Sequence, residues 1–338
     1  MLKWIAIFVG VVVLAAGATA YVAMTGTPPI PTGACPAILS AAPYDANVVL
    51  YADLTSLRTT DISRQLTAMQ NMPELAAYRD FVAKTNFHIE RDLDHILFTA
   101  SAGSNSGSVV LEGRFDQPMI NAYAAQFGTM KHYEAGDMYD FHNAGTRGSA
   151  SMMFLNPSRL ALAAGTGAET QILMLADASK GSEPALTDDL CARARRVAGA
   201  PFFAIGDIPK LATPQLTAIV AHENPSAAEV IKSLKGWDAA YWVDGDSLRV
   251  AVEGEFDSRY EALQARIGLD KLRDSVQKSA ASAKVGPTAT GPSAEVIDEF
   301  AKNFAFALDG RYVRLGTSIK LSELQKLAAA SVPRRHGS

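Results

Sequence analysis

An eight-residue segment of the sequence occurs twice, and this repeat limits the folds that the chain can adopt. Residues 109–116 read VVLEGRFD and residues 250–257 read VAVEGEFD, so five of the eight positions are identical. In both copies an apolar stretch typical of a strand stops at Glu-Gly, and Asp116 or Asp257 then stands where a helix N-cap is expected. Each copy therefore predicts a strand, a turn and a helix.

Segments on both sides of the repeat correspond in the same order. An apolar stretch containing an Asp near its end precedes each copy, at 48–54 and at 202–208. Two apolar runs joined by a turn follow each copy, with the turns at 156–158 and 309–310. The second turn is Asp-Gly, which between apolar runs is a strong hairpin signal. Three matches in one order indicate a duplicated module rather than chance similarity.

The order of the predicted elements makes the expected fold class α+β. Each copy reads strand, two short helices, strand, strand, helix, then a terminal hairpin and a helix, which resembles a split βαβ module with an extra hairpin. We expect two tandem related modules, each an antiparallel or mixed sheet packed by helices. The predicted bounds are 41–198 for the first module, 199–332 for the second and 333–338 for a disordered tail.

A run of 21 residues without charge, 4–24, lies at the start of the sequence and predicts a membrane segment. At about 1.5 Å per residue, a helix of this length spans roughly 30 Å, the thickness of a bilayer core. Lys3 before the run, with no further charge until Asp45, favours a cytoplasmic N-terminus. We expect a transmembrane anchor or signal segment at 1–25 and a Pro- and Gly-rich linker at 26–40. The expected location is the bacterial inner membrane, single-pass, with the bulk in the periplasm or outside the cell.

Three interpretations of this run stay open. It is an uncleaved anchor, a signal peptide cleaved after the small residues 18–20, or part of a signal for a lipid anchor on Cys35. Small residues at 32–34 precede that cysteine, but the apolar residue usual three places before it is missing. A run that is apolar on every side and is followed by a proline-rich spacer fits a buried helix of a soluble protein poorly.

The charge balance excludes one class of partner. The chain has 31 basic and 35 acidic residues and a formal net charge of -4. A slightly acidic protein lacks the clustered positive charge that a phosphate backbone requires, so nucleic acid is not an expected partner. The membrane, through residues 4–24, and an envelope protein or ligand are the expected partners.

The densest group of potential metal ligands lies in the segment 88–95. Its members are His88, Glu90, Asp92, Asp94 and His95. In a strand the first four would share a face, whereas in a helix His88 and Asp92 would be neighbours. The alternative, which we favour, is a polar approach to a strand near Ile96, with an aspartate capping or turning the chain. The second module has no equivalent cluster.

Other candidates for chemistry are weaker. A second polar group has a spacing that fits no common metal motif, and surface hairpins often carry such residues: His132, Glu134, Asp137, Asp140 and His142. The sequence has no Gly-x-Ser-x-Gly, P-loop or dinucleotide-binding motif. We therefore predict no catalytic residue and no cofactor.

Two further patterns concern the cysteines and a predicted helix. Cys35 and Cys191 follow the membrane segment at similar places in the two copies, so they are candidates for a disulfide, with two unpaired thiols as the alternative. Neither belongs to a Cys-x-x-Cys motif, which argues against a redox enzyme. Apolar residues near helical spacing are assigned to core packing on the sheet: Tyr260, Leu263, Ile267 and Leu272.

Two stretches carry a resemblance to a known group of proteins. Residues 42–54, APYDANVVLYADL, resemble the start of uncharacterised bacterial envelope proteins that have an N-terminal membrane segment and a Pro-x-Asp lead into an apolar strand. Residues 86–94, NFHIERDLD, are similar to the Asp-containing approach to their next strand. The resemblance implies an envelope location and a structural role for Asp92 and Asp94, and it implies no activity.

These patterns together favour a binding role. We expect a non-enzymatic, membrane-anchored extracytoplasmic protein that binds or scaffolds a partner whose identity the sequence does not give. A groove between the two modules is the expected binding place. Two alternatives stay open: a metal-dependent envelope hydrolase that uses the segment 88–95, and a lipid or small-molecule carrier with a cavity between the modules.

Overall fold

The structure is a computed structural model with a mixed α+β fold, a large antiparallel sheet and, in the described residues, six α-helices. The chain divides into a first unit, Thr32–Gly206, and a second unit formed mainly by the residues from Asp207 onward. The described residues are 30–56, 58, 76–101, 106–142, 149–181, 186–207, 232–245, 247–283 and 305–320.

The first unit contains an antiparallel sheet of eight strands. The strands are hydrogen bonded in the order β8-β1-β2-β3-β7-β6-β5-β4. Their bounds are β1 Val48–Asp53, β2 Leu93–Ala100, β3 Ser106–Gly113, β4 Thr129–Tyr133, β5 Gly136–His142, β6 Ser149–Asn156, β7 Arg159–Gly165 and β8 Phe202–Asp207.

Five α-helices and one 3₁₀ helix accompany this sheet. The helix α4 packs against β3, β6 and β7, and the 3₁₀ helix packs against β2, β3 and α4, so these elements cover one face. The helix bounds are Ala37–Ala41 for the 3₁₀ helix, α1 Ala76–Thr85, α2 Ile89–Asp92, α3 Gln117–Ala124, α4 Ala168–Ser179 and α5 Asp188–Val197.

The core of the first unit follows from the strand register. Because side chains alternate between the faces of a strand, the register places one residue from each of six neighbouring strands in a single row. All six are buried, with at most 7% exposure: Tyr51, Leu97, Val110, Ala161, Met153 and Met138. Each large apolar side chain in such a row contributes about 1.5–3 kcal/mol by its burial.

The second unit contains the antiparallel strands β9 (Leu234–Asp244), β10 (Ser247–Phe256), β11 (Ala305–Asp309) and β12 (Tyr312–Lys320), and the helix α6 (Arg259–Ala283). Within it the pairing order is β9-β10-β12-β11. Gly310 closes the β11–β12 hairpin with a φ of 57°, a left-handed conformation that glycine adopts without steric cost. The Asp-Gly hairpin predicted from the sequence is therefore confirmed.

The outer face of α6 corrects one prediction. Tyr260, Leu263 and Ile267 are 70%, 41% and 41% exposed, although the sequence pattern assigned them to the core. The helix instead buries Ala262 and Ala265 against Phe256 and Val313. Small residues on the inner face let the helix backbone approach the sheet, which leaves the larger apolar side chains outside. The side chain of Leu272 lies outside the described residues.

The other predicted elements agree with the structure to different degrees. The predicted strands, the hairpin at 149–165 and the helix that follows it form close to their predicted bounds, whereas β4, β5 and α5 were not predicted. The first unit extends to Gly206, beyond the predicted boundary at 198/199, because β8 pairs with β1. The predicted helices at 320–330 and most of 212–234 lie outside the described residues.

The predicted membrane segment, 4–24, also lies outside the described residues. Within the part of the chain that the structure describes, no helix has both the length and the apolar character needed to cross a bilayer.

Candidate functional site

A cleft of about 750 Å³ opens in the first unit and is the candidate functional site. It is lined by residues 85–87 at the end of α1, residues 91–92 at the end of α2, residues 113–118 from the end of β3 to the start of α3, and residues 157–158 in the β6–β7 turn. The end of the first sequence repeat therefore forms much of the wall.

Asp92 organises the polar side of this cleft. Its side chain is only 10% exposed and accepts two hydrogen bonds from the Arg91 guanidinium, from Nε at 2.8 Å and from Nη2 at 2.7 Å. The backbone N–H of His88 donates a third hydrogen bond, of 2.9 Å. Burial raises the pKa of Asp92, but these bonds and the charges of Arg91 and Arg114 outweigh it and hold the pKa below its ordinary value. Asp92 is therefore an ionised carboxylate whose two oxygens accept hydrogen bonds from Arg91 and His88.

Arg114 lies beside the Asp92–Arg91 pair. Its Nη2 donates to the backbone carbonyl of Arg91, its Nε is 3.8 Å from Asp92 Oδ1, and its Nη1 is 3.5 Å from Asp94 Oδ1. Asp94 in turn accepts a 2.8 Å hydrogen bond from Arg58. The side chains of Arg91 and Arg114 are 55% and 59% exposed. Two guanidinium groups thus face the solvent of the cleft.

The glycine of the repeated Glu-Gly pair brings these elements together. A Cβ atom at Gly113 would lie 2.2 Å from the carbonyl oxygen of Asp92, so the backbone of β3 approaches α2 more closely than a side chain permits. The N–H of Gly113 donates to Ser158 O at 2.9 Å, and the N–H of Arg114 donates to Asp92 O at 2.8 Å. These bonds join three of the four segments that line the cleft.

Two aromatic rings line the apolar side of the cleft, and they belong to a longer array of rings. Phe87 and Phe115, which line it, stack with 5.1 Å between ring centroids. Neighbouring rings continue the array at centroid distances of 5.1 to 6.1 Å, in the order Phe127, Tyr123, Phe81, Phe87, Phe115 and Phe154.

The predicted metal ligands of the segment 88–95 do not share one common partner. His88 Nδ1 lies 3.4 Å from Glu90 Oε1, while Asp92 and Asp94 form ion pairs with arginines. Among the described residues, no three His, Cys, Asp or Glu side chains are placed to hold a metal ion together. Asp92 is the last residue of α2 and Asp94 is the second residue of β2, as a polar approach to a strand would place them. The metal site stays a prediction.

His95 belongs to a separate polar row across the sheet. The register aligns Asp53, His95, Glu112 and Arg159 on four neighbouring strands. His95 Nε2 is 3.8 Å from Asp53 Oδ1, and its Nδ1 is 3.9 Å from Glu112 Oε2, so the ring nitrogens face two different carboxylates. Glu112 is also 3.5 Å from Arg159, and the imidazole stacks on Tyr51. This row is a charge network within the sheet.

The second predicted polar group lies on the β4–β5 hairpin and divides between environments. His132 Nδ1 is 2.8 Å from Asp137 Oδ1 at the exposed surface. Asp140 is buried and is held by Lys131 at 2.6 Å and by the hydroxyl of Ser151 at 2.7 Å. The described members therefore do not converge on one point.

The candidate disulfide is not formed in the structure, where Cys35 and Cys191 each keep a thiol. Burial raises the pKa of Cys35, and the neighbouring Arg195 partly opposes this with its charge and a hydrogen bond. The Cys191 thiol donates to Leu186 O at 3.7 Å. Both cysteines lie in the first unit, so they do not occupy equivalent places in the two units.

Sequence reasoning named Asp92 but missed the two arginines and the glycine around it. Arg91 was overlooked because it is not a metal ligand. The repeat contained a signal for Arg114, because the matching position of the second copy is Glu255 and the charge is therefore reversed. Among the three positions at which the two repeats differ, this is the only one where a charged side chain is replaced.

Comparisons with known proteins give no functional assignment. No protein-family model matches the sequence, and no curated protein matches it. Three solved structures, crystal forms III, I and IV of TP0453, resemble the chain with TM-scores of 0.46, 0.44 and 0.45 at 10%, 8% and 11% identity. The likeness covers 86–88% of this chain and 96–97% of TP0453. It is too weak to carry any conclusion about this chain.

Proposed function

We propose that this chain is a membrane-anchored, extracytoplasmic binding protein, non-enzymatic, whose first unit holds its ligand in the cleft beside Arg91 and Arg114. The observation that carries the proposal is the cleft itself, which combines two exposed guanidinium groups with an aromatic wall. Ligand sites are typically concave and apolar, with a few polar groups that fix orientation. Asp92 is engaged as an ion-pair partner, so it supports binding and not proton abstraction.

The N-terminal run supports the membrane part of the proposal. Residues 4–24 carry no charge, and Lys3 precedes them, which favours a cytoplasmic N-terminus. The polar, ion-pair-rich units would then lie on the other side of the bacterial inner membrane, in the periplasm or outside the cell.

The strand order supports descent of the two units from one duplicated module. In the first unit four strands pair in the order β2-β3-β7-β6, and in the second four pair in the order β9-β10-β12-β11. The second strand in each of these orders, β3 or β10, also carries a glutamate opposite an arginine of the hairpin, as Glu112 with Arg159 and as Glu253 with Arg314. Two unrelated α+β units would have no reason to share this glutamate–arginine pair at the same register.

The position of Arg114 favours the first unit as the binding unit. The matching residue of the second sequence repeat is Glu255, which pairs with Arg311 at 2.6 Å. The second repeat therefore carries an acidic side chain where the first carries a guanidinium group of the cleft.

Ligand-observed NMR with the full chain in lipid nanodiscs tests the cleft. Benzamide and other small aromatic probes should show saturation transfer from the protein that empty nanodiscs do not give. Ser158→Trp, which places a large side chain in the cleft, should abolish this transfer, while Lys180→Trp, at an exposed position outside the cleft lining, should retain it. Equal transfer in both variants, or none in the unmodified chain, would contradict the proposal.

A further inference from the structure

We infer that the cleft selects ligands that carry an anionic group, a carboxylate or a phosphate, bound by the guanidinium groups of Arg91 and Arg114. This inference rests on the proposed function, since it names the ligand class of that same cleft. Arginine is suited to both anions because its planar N–H groups match two oxygens at once.

The two arginines keep hydrogen-bond donors available. Arg91 uses Nε and Nη2 for Asp92 and Asn86, and its Nη1 donates to no group among the described residues. Arg114 donates from Nη2 to the Arg91 carbonyl, while its other two nitrogens are 3.5 and 3.8 Å from carboxylate oxygens. Those distances exceed a normal charge-assisted hydrogen bond of about 2.7–2.9 Å. An anion in the cleft would supply the missing acceptors.

The acidic groups of the cleft are already engaged. Asp92 is nearly buried and accepts from Arg91 and from the His88 amide. Asp116 accepts a 3.1 Å hydrogen bond from the N–H of Met119 and caps α3, whose N-terminal dipole favours negative charge. Asp94, next to Arg114, is bonded to Arg58. The side chains that remain open to a ligand are therefore mainly the cations.

The apolar wall adds a second requirement. Phe115 and Pro118 line the cleft beside the arginines, and Phe87 stacks under Phe115. Aromatic and proline surfaces pack well against a planar or aliphatic ligand body. The inferred ligand is thus an apolar body with an acidic group at one end.

A matched set of probes tests the charge preference. Benzoate and phenyl phosphate carry the two candidate anions, and benzamide is the uncharged counterpart of benzoate with nearly the same shape. We expect at least one anion to bind the full chain in nanodiscs about tenfold more tightly than benzamide, a difference of about 1.4 kcal/mol. Tight binding of benzoate alone assigns a carboxylate, and tight binding of phenyl phosphate alone assigns a phosphate.

Arg114→Gln is the informative variant. The ion pairs of Arg114 are long and its side chain is exposed, so its removal should leave the fold intact, as amide hydrogen exchange of the first unit would verify. In this variant the ratio of anion affinity to benzamide affinity should fall from about ten to about one. Arg266→Gln, an exposed arginine of α6 in the second unit, is the control and should retain the preference.

The outcomes separate this inference from the proposed function. If benzamide binds as tightly as both anions, or if Arg114→Gln keeps the preference, the inference is wrong and the cleft remains a binding site. If none of the three probes binds, the cleft is not a ligand site and both proposals fail.

Discussion

Asp92 is the carboxylate around which the polar side of the cleft is arranged. It is nearly buried, and three hydrogen bonds from Arg91 and His88 hold it ionised. Replacing a hydrogen-bonded, buried carboxylate leaves its donors without a full partner, and that desolvation cost exceeds the value of the bonds themselves. The same environment fixes where Arg91 and Arg114 stand in the cleft.

We expect Asp92→Asn to reduce the free energy of unfolding by about 2 kcal/mol at neutral pH, measured by urea denaturation. Because the pKa of Asp92 is lowered by folding, its contribution is present above the unfolded pKa, near 3.8, and is lost as pH falls through the lower folded pKa. The difference between the unmodified chain and the variant should therefore be constant at pH 5–7 and shrink below about pH 4.

The control for this prediction is Asp177→Asn. Asp177 is 79% exposed and pairs with Lys180 at the surface, so its removal should change the unfolding free energy by less than about 0.5 kcal/mol. A loss in Asp92→Asn that does not depend on pH between 3 and 6 would contradict the role assigned to its charge.

At the level of elements, the glycine of the repeated Glu-Gly pair has different neighbours in β3 and in β10. At Gly113 an added Cβ meets the backbone carbonyl of Asp92, which cannot move without shifting α2, whereas at Gly254 it meets the flexible end of Leu234. The sequence repeat makes the two glycines look equivalent. The tertiary contacts make only the first one indispensable for the cleft.

We expect Gly113→Ala to destabilise the first unit by about 2 kcal/mol, and Gly254→Ala to destabilise the second by less than about 1 kcal/mol. Amide hydrogen exchange followed by mass spectrometry measures both in the same chain, because it reports opening of each unit separately. Equal losses of protection in the two variants would show that the close approach at Gly113 is not specific.

The elements themselves differ in how well the sequence predicts them. The β11–β12 hairpin is predicted because Asp309-Gly310 fixes its turn, and α3 because Asp116 caps it. In contrast, α5 was missed because most of its residues are charged or small, and its buried apolar residues Leu190, Ala194 and Val197 form only a thin apolar stripe. The cleft could not be predicted, since Arg91, Arg114 and Gly113 converge only through contacts between elements distant in sequence.

At the scale of the whole molecule, the proposal joins a membrane segment to two related units. The order of strands within each unit and the shared glutamate–arginine pair support duplication. The change from Arg114 in one repeat to Glu255 in the other supports divergence.

The most direct test is the topology of the full chain in its native membrane. Protease added outside spheroplasts should digest residues beyond the linker at 26–40, and the chain should stay in the membrane pellet after alkaline carbonate extraction. Its intact mass before digestion should include residues 1–25. A chain that is protected from external protease, or that carbonate releases, would contradict a membrane-anchored protein with its cleft outside the cytoplasm.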